Sequence, residues 1–168
     1  ACIMPREAPQ PMKEEYMLTG PLEETNEWYA IAKIAGIKMC QSYRRQYGFN
    51  AICASPTNLF GIDDNFDLET SHVPAALMRK MHEAKISGCD EIVIWGTGEP
   101  RREFMFADDM ADACIFLMNN YNSHQFINVG VGVEISIADF ARLVAKVVGY
   151  TGRFVFDTSR PDGPPRKL

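Results

Sequence analysis

The chain has 168 residues, of which 46% are hydrophobic and 23% are charged, and its formal net charge is −5. This is an ordinary globular composition, and the negative charge argues against a dedicated nucleic-acid binder. No apolar run approaches the roughly 18 residues that a membrane-spanning helix needs, so no membrane partner is expected.

Hydrophobic periodicity predicts helices that alternate with short strands along the chain. Residues 1–24 hold four prolines and are predicted to be an irregular loop. The helices are predicted over 25–47 (capped by Thr25 or Asn26, stopped by Gly48), over 72–87, from near Asp108, and from the cap Ser136. The strands are predicted over 49–54, 91–95, 102–106, 126–129 and 153–156, with a loop over 55–61. This alternation predicts an α/β fold with parallel pairing.

Apolar residues at helical spacing are the predicted core positions of these helices. Asp139 stands at the capping-box position after Ser136, and Ile135 can contact Phe140 across that helix start. The predicted core positions are Ile31, Ala35, Met39 and Cys40; Val73, Ala76, Leu77, Met81 and Ala84; Met110, Cys114, Leu117 and Met118; and Phe140, Leu143, Val144 and Val147.

The five cysteines are scattered, odd in number, and never spaced as Cys-x-x-Cys. This pattern favours free thiols in a reducing, cytoplasmic setting. The three histidines are too widely spread to form a metal-binding signature. Local groups of basic residues could still hold a diphosphate despite the negative net charge. These groups are Arg101 with Arg102, and Arg160 with Arg166 and Lys167.

Tyr29 and Lys33 are the sharpest local candidates for chemistry. They stand four residues apart on the first predicted helix, so their side chains share one face. A phenol with an ordinary pKa near ~10 is a poor acid or base at neutral pH, and an adjacent ammonium group favours the phenolate. The pair could therefore exchange a proton with a sugar oxygen, although this spacing alone is a weak signal.

The wider context of this pair resembles the extended short-chain dehydrogenases and, within them, the GDP-L-fucose synthase family. The matching stretches occur in the same order along nearly the whole chain. They are residues 23–36, 43–48, 56–61, 64–66, 71–73 and 95–98, Arg102-Glu103-Phe104, 108–111 and Pro161-Asp162-Gly163. The resemblance implies a partial Rossmann sheet plus a smaller α/β substrate domain. Residues 1–61 would be the C-terminal part of the Rossmann domain, and 62–168 mainly the substrate-binding region, with some segments returning to the Rossmann sheet.

The resemblance also implies an NADP(H)-dependent 3,5-epimerase/4-reductase acting on a GDP-sugar, and a homodimer. Tyr29 and Lys33 would be catalytic, with Cys2 and His72 as the acid/base pair of epimerisation. Cofactor contacts would come from Tyr29, Lys33, Asn58 and His72, and substrate contacts from Asn58, Lys80, Trp95 and Arg102. Asp108 and Asp109 are interpreted as residues that begin a helix.

Three departures from the family pattern qualify this expectation. The family's catalytic Ser would fall before Cys2, Met4 replaces a commonly aromatic residue, and Ile62-Asp63 replaces Pro-His. A Gly-x-Gly-x-x-Gly phosphate turn is absent, because Gly96/Gly98 and Gly130/Gly132 lack the third glycine. Both ends of the chain are expected to be cut, and the chain is expected to be inactive alone. Another nucleotide-sugar 4-epimerase or 4,6-dehydratase, and a non-catalytic binding module, remain alternatives.

Overall fold

The computed structural model describes residues 2–160 and 162–168, which form two compact units. The first unit takes the chain up to Leu59, then Glu103–Gly132 and Leu168. The second unit comprises Phe60–Arg102 and Val133–Lys167. None of the helices in the described part of the chain is long and apolar enough to cross a membrane.

Helices and strands alternate through both units. The α-helices of the described residues are α1 Glu27–Tyr47, α2 Val73–Ser87, α3 Ala107–Asn120 and α4 Ile137–Val148. Their strands are β1 Ala54–Pro56, β2 Asn58–Phe60, β3 Glu91–Trp95, β4 Arg101–Arg102, β5 Phe104–Phe106, β6 Ile127–Val129, β7 Ile135–Ser136, β8 Arg153–Asp157 and β9 Arg166–Lys167. β1 pairs in parallel with β6, and β3 pairs in parallel with β8 from Glu91↔Arg153 to Trp95↔Asp157. The predicted α/β class with parallel pairing is confirmed.

The core of the second unit lies between α2, α4 and the β3–β8 pair. Ile92 and Ile94 alternate along β3 and point into this core, as the two-residue period of a strand requires. They meet Leu77 and Met81 of α2 and Val144 of α4, all of which are buried. α4 begins as predicted, because the Ser136 hydroxyl accepts the Asp139 N–H at 3.0 Å and donates to the Asp139 carboxylate at 2.7 Å.

The predicted apolar stripe of α1 was wrong by one residue. The structure buries Ala30 and Ile34, whereas Met39 is 59% exposed. Ile34 packs with the segment that holds Ile3 and Met4. Apolar side chains occupy two faces of α1, and sequence spacing alone does not tell which face meets the core. The same kind of error affects Val73 on α2, Met118 on α3, and Leu143 and Val147 on α4, which are all exposed. On α4 the inward positions belong instead to Ala141 and Ala145.

Two strand predictions were also wrong in their bounds. The predicted strand at 49–54 begins only at Ala54, because the Arg44 guanidinium donates to the Ala51 carbonyl at 2.9 Å and holds that segment against α1. Residues 55–61, predicted as a loop, contain most of β1 and all of β2. The predicted strand at 102–106 is interrupted at Glu103, whose carbonyl accepts hydrogen bonds from two side chains of the 57–58 segment.

Candidate functional site

Tyr29 and Lys33 lie side by side on the first turns of α1. The Lys33 Nζ lies 5.3 Å from the centroid of the Tyr29 ring. The adjacent residues Ala30 and Ile34 are buried and anchor this part of α1 in the first unit, while the Tyr29 side chain remains 56% exposed. Within the described chain, neither the phenol nor the ammonium group is engaged in a hydrogen bond. The structure therefore presents a phenol and a cation together with their polar atoms available to a ligand.

Asn58 is held by the backbone of Glu103 in the first unit. Its Nδ2 donates to the Glu103 carbonyl at 2.8 Å, and the Thr57 hydroxyl donates to the same oxygen at 3.0 Å. The buried Glu103 carboxylate accepts the Gly132 N–H at 2.6 Å, so Glu103 joins three segments of this unit. The Asn58 amide is thus fixed by its nitrogen, and its oxygen remains a candidate acceptor for a ligand hydroxyl.

Cys2 and His72 belong to different units. Cys2 is partly buried in the first unit beside the buried residues Ile3 and Met4, and Met4 serves there as a core residue. His72 is exposed in the second unit, where it is the residue before α2 and its carbonyl accepts the Ala76 N–H at 2.9 Å. Their action as an acid/base pair stays a prediction.

The second unit places two cations against the ring of Trp95. Lys80 Nζ lies 5.3 Å from the ring centroid and donates to the Val93 carbonyl at 3.0 Å. Burial lowers the pKa of Lys80 from its ordinary value. The Arg160 guanidinium carbon lies 4.7 Å from the same centroid. Trp95 and Asp157 are register partners at the carboxyl ends of β3 and β8, which is where parallel sheets bind ligands.

Arg102 lies in the same unit on β4. Burial lowers the pKa of its guanidinium, and the nearby carboxylate of Asp162 acts in the opposite direction. An Arg102 nitrogen also donates to the Asp162 carbonyl at 3.4 Å. A partly buried guanidinium suits a diphosphate, because it can form two parallel hydrogen bonds with phosphate oxygens.

Neither glycine pair forms a cradle for a pyrophosphate. Asp162 and Phe156 fill the space that a Cβ would take at Gly96 and Gly98, and the Glu103 carboxylate fills that space at Gly130. These glycines therefore allow close packing within the protein. The donors present in the first unit, a phenol, an ammonium group and an amide, fit the hydroxyl and amide groups of a dinucleotide. They include none of the backbone N–H groups with which a glycine-rich turn holds a pyrophosphate.

No group of three or more His, Cys, Asp and Glu side chains is placed to hold a metal ion in residues 2–160 and 162–168.

Arg160 and Asp162 are the polar residues that the sequence-based assignment missed. Arg160 lies in the basic group with Arg166 and Lys167, and Asp162 lies in the family stretch Pro161-Asp162-Gly163, but the sequence alone gave neither residue a role. The signal was their position just after the last predicted strand of a parallel sheet, at its carboxyl end.

Comparisons with known proteins show which family this chain belongs to. The model of the NAD dependent epimerase/dehydratase family matches residues 1–130. The chain is 58% identical over 168 residues to a GDP-L-fucose synthase of Sinorhizobium fredii, covering all of this chain and 54% of that protein. It is 52% identical over 177 residues to the GDP-L-fucose synthase of Escherichia coli, covering all of this chain and 55% of that protein. The chain therefore spans about half the length of the curated relatives it matches.

A solved structure of similar fold covers nearly the whole chain. The crystal structure of a GDP-L-fucose synthetase from Naegleria fowleri bound to NADP superposes with a TM-score of 0.91 and 34% identity. That superposition covers 99% of this chain and 54% of the other chain.

Proposed function

Since the chain belongs to the NAD dependent epimerase/dehydratase family, we propose that the protein, at its full natural length, converts GDP-4-keto-6-deoxy-D-mannose to GDP-L-fucose with NADPH. This proposal depends mainly on one observation, the exposed pair of Tyr29 and Lys33 on α1. Relatives at 58% and 52% identity that match the whole chain are GDP-L-fucose synthases, which supports this choice of substrate. The solved relative bound to NADP supports the choice of cofactor.

In the reduction, Tyr29 donates its hydroxyl proton to the C4 oxygen of the keto sugar. When bound, NADPH supplies the hydride that C4 receives. The positive charge of Lys33 stabilises the negative charge that Tyr29 acquires as its proton leaves. Lys33 and Asn58 also provide donors and an acceptor for hydroxyl groups of the cofactor. The first unit is thus proposed to be the cofactor side of the protein.

In the preceding epimerisation, Cys2 and His72 invert C3 and C5. A proton next to a keto group is acidic enough for a thiolate or an imidazole to remove. One group takes the proton from one face of the sugar, and the other returns a proton to the opposite face. No net oxidation occurs in this step, so NADPH is consumed in the later reduction only.

The second unit is proposed to hold the GDP part of the substrate. Lys80 and Arg102 supply positive charge for the diphosphate, as predicted from the family pattern, and Trp95 offers an aromatic face. Arg160 joins this set because its guanidinium stacks on Trp95. The positive charges of these three side chains would complement the negative charge of the diphosphate.

A homodimer is proposed through the exposed apolar faces of α1 and α3. Each of these helices exposes several large apolar side chains, and contiguous exposed apolar patches usually mark interfaces. Their exposed apolar members are Trp28, Ile31, Met39, Tyr43 and Tyr47 on α1, and Ile115, Phe116 and Met118 on α3.

A cytoplasmic location is proposed from the thiols of Cys40, Cys53, Cys89 and Cys114, which form no disulfide bonds.

The test is to incubate the protein at its full natural length with GDP-4-keto-6-deoxy-D-mannose and NADPH in deuterated water. We expect NADPH consumption, formation of GDP-L-fucose, and deuterium at C3 and C5 of the product. Cys2→Ser and His72→Gln should reduce deuterium uptake, whereas Cys89→Ser, at an exposed thiol, should leave it unchanged.

The alternatives differ in the substrate they turn over or in their use of NADPH. A 4-epimerase would interconvert a sugar nucleotide without consuming NADPH, and a 4,6-dehydratase would act on the unmodified GDP-sugar. If the protein binds GDP-sugars and turns over none of them, a binding module is the correct description.

A further inference from the structure

The carboxylate of Asp162 holds the turn that follows β3. Its two oxygens accept the Thr97 N–H at 2.7 Å and the Thr97 hydroxyl at 2.8 Å. The turn is shaped for this contact, because Gly96 adopts φ +80 and a Cβ at this position would collide with the Asp162 carboxylate. A residue other than glycine at position 96 would therefore displace either the turn or Asp162.

Asp162 also lies beside one cation of the proposed GDP site, Arg102, and follows a second one, Arg160, by two residues in the chain. Arg102 donates to its carbonyl at 3.4 Å, and the Asp162 carboxylate favours the charged form of that guanidinium. Arg160, two residues earlier in the chain, stacks on Trp95. The start of the same segment is fixed by Asp157, whose side chain accepts the Ser159 N–H at 3.0 Å and whose carbonyl accepts the Arg160 N–H at 3.2 Å.

We propose that Asp162 is a positioning residue that fixes the segment after β8 on the turn after β3 and thereby sets Arg102 and Arg160 in place for a diphosphate. The inference rests on the proposed function, because it takes the ligand to be a nucleoside diphosphate sugar. Asp162 itself does not contact the ligand. It acts through Thr97 on one side and through the two arginines on the other.

Positioning and electrostatics make opposite predictions for this residue. A carboxylate near the diphosphate repels it, so removing the charge alone should strengthen binding or leave it unchanged. Removing the hydrogen bonds to Thr97 should weaken binding, because the arginines must then be ordered when the ligand binds. Asp162→Asn separates the two effects, since its amide can still accept from the Thr97 N–H and donate to the Thr97 hydroxyl. Asp162→Ala loses both hydrogen bonds.

The experiment measures GDP binding by calorimetry and steady-state kinetics with the keto sugar, using the protein at its full natural length. For Asp162→Ala we expect a Kd for GDP and a KM that rise about three- to thirtyfold, with kcat nearly unchanged. For Asp162→Asn we expect values at or below those of the wild type. Asp90→Ala is the matched control: it removes an exposed carboxylate from the same unit, and no hydrogen bond of its side chain is found in the described chain.

A double-mutant cycle tests the route through Thr97. Thr97→Val removes the hydroxyl, so combining it with Asp162→Ala should cost less than the sum of the two single effects. Additive effects would contradict the contact as the cause. Binding by Asp162→Ala as tight as that of the wild type, or binding by Asp162→Asn as weak as that of Asp162→Ala, would overturn the inference while leaving the proposed function intact. A wild-type protein that fails to bind GDP would overturn the proposed function and this inference with it.

Discussion

Replacing Tyr29 with Phe removes one oxygen from α1 and tests the proposed acid directly. The ring and its contact with the Lys33 ammonium remain, because Phe has the same aromatic face. The lost hydroxyl is the proposed proton donor to C4 of the keto sugar. The change therefore separates the chemistry of this residue from its packing.

The structure predicts two very different magnitudes for this substitution. The side chain is 56% exposed and forms no hydrogen bond within the described chain, so the free energy of unfolding should change by no more than about 0.5 kcal/mol. Loss of a general acid typically lowers the rate by about 10²- to 10⁴-fold. This corresponds to roughly 2.7–5.4 kcal/mol in the barrier to reduction, at about 1.36 kcal/mol for each tenfold change.

The assay follows NADPH consumption, deuterium uptake at C3 and C5, and thermal unfolding in the same preparations. Reduction should fall while deuterium uptake continues, because epimerisation is assigned to Cys2 and His72. Tyr43→Phe is the matched control, since Tyr43 is a second tyrosine of α1 and is 50% exposed. Unchanged reduction in Tyr29→Phe would refute the reasoning. A similar loss in Tyr43→Phe would show that any exposed hydroxyl of this helix has the same effect.

Three further predictions follow from other parts of the structure. Arg160→Ala should weaken GDP binding about tenfold in calorimetry, because a charge-assisted contact to phosphate is lost. Guanosine binding should be unchanged. The control Arg142→Ala, at an exposed arginine of α4, should change neither affinity. Met39→Glu should convert a dimer to a monomer in sedimentation experiments, whereas Ile86→Glu, at an exposed apolar residue of the second unit, should not. Hydrogen bonds from Arg166 and Arg101 lower the pKa of Glu134 from its ordinary value of 4.5. The stabilisation of the fold by this carboxylate is therefore present above that pH and is lost as the pH falls through the lowered pKa. Thermal melts should therefore show that the wild type loses stability below about pH 4.5 and that Glu134→Gln is less sensitive to acid, and equal acid sensitivity would contradict this assignment.

Sequence reasoning succeeded where a local rule decides the structure. The Ser136–Asp139 cap, the stop of α1 at Gly48 and the strand Glu91–Trp95 all depend on a few neighbouring residues. The Tyr29–Lys33 contact likewise follows from helical spacing. Each of these features was predicted correctly because no distant part of the chain needs to be known.

Failures occurred where the outcome depends on a distant partner. Arg44 holds the segment before β1, and Glu103 holds the segment between β1 and β2, so neither strand bound was visible in local composition. The exposed face of α1 was taken for core, because an exposed apolar face and a buried one have the same apolar signature in sequence. Arg160 was not given a role, since its contact with Trp95 spans 65 positions and depends on the register of two strands.

The pairing of β3 with β8 has a consequence for how the protein is made. Glu91 and Arg153 are register partners that stand 62 residues apart, and the residues between them include α3 and β6 of the other unit. During synthesis, Ile92 and Ile94 must leave the ribosome well before the strand that completes their sheet. A nascent chain stopped between the two strands would carry an incomplete hydrophobic surface, and such a surface favours aggregation until β8 has been made.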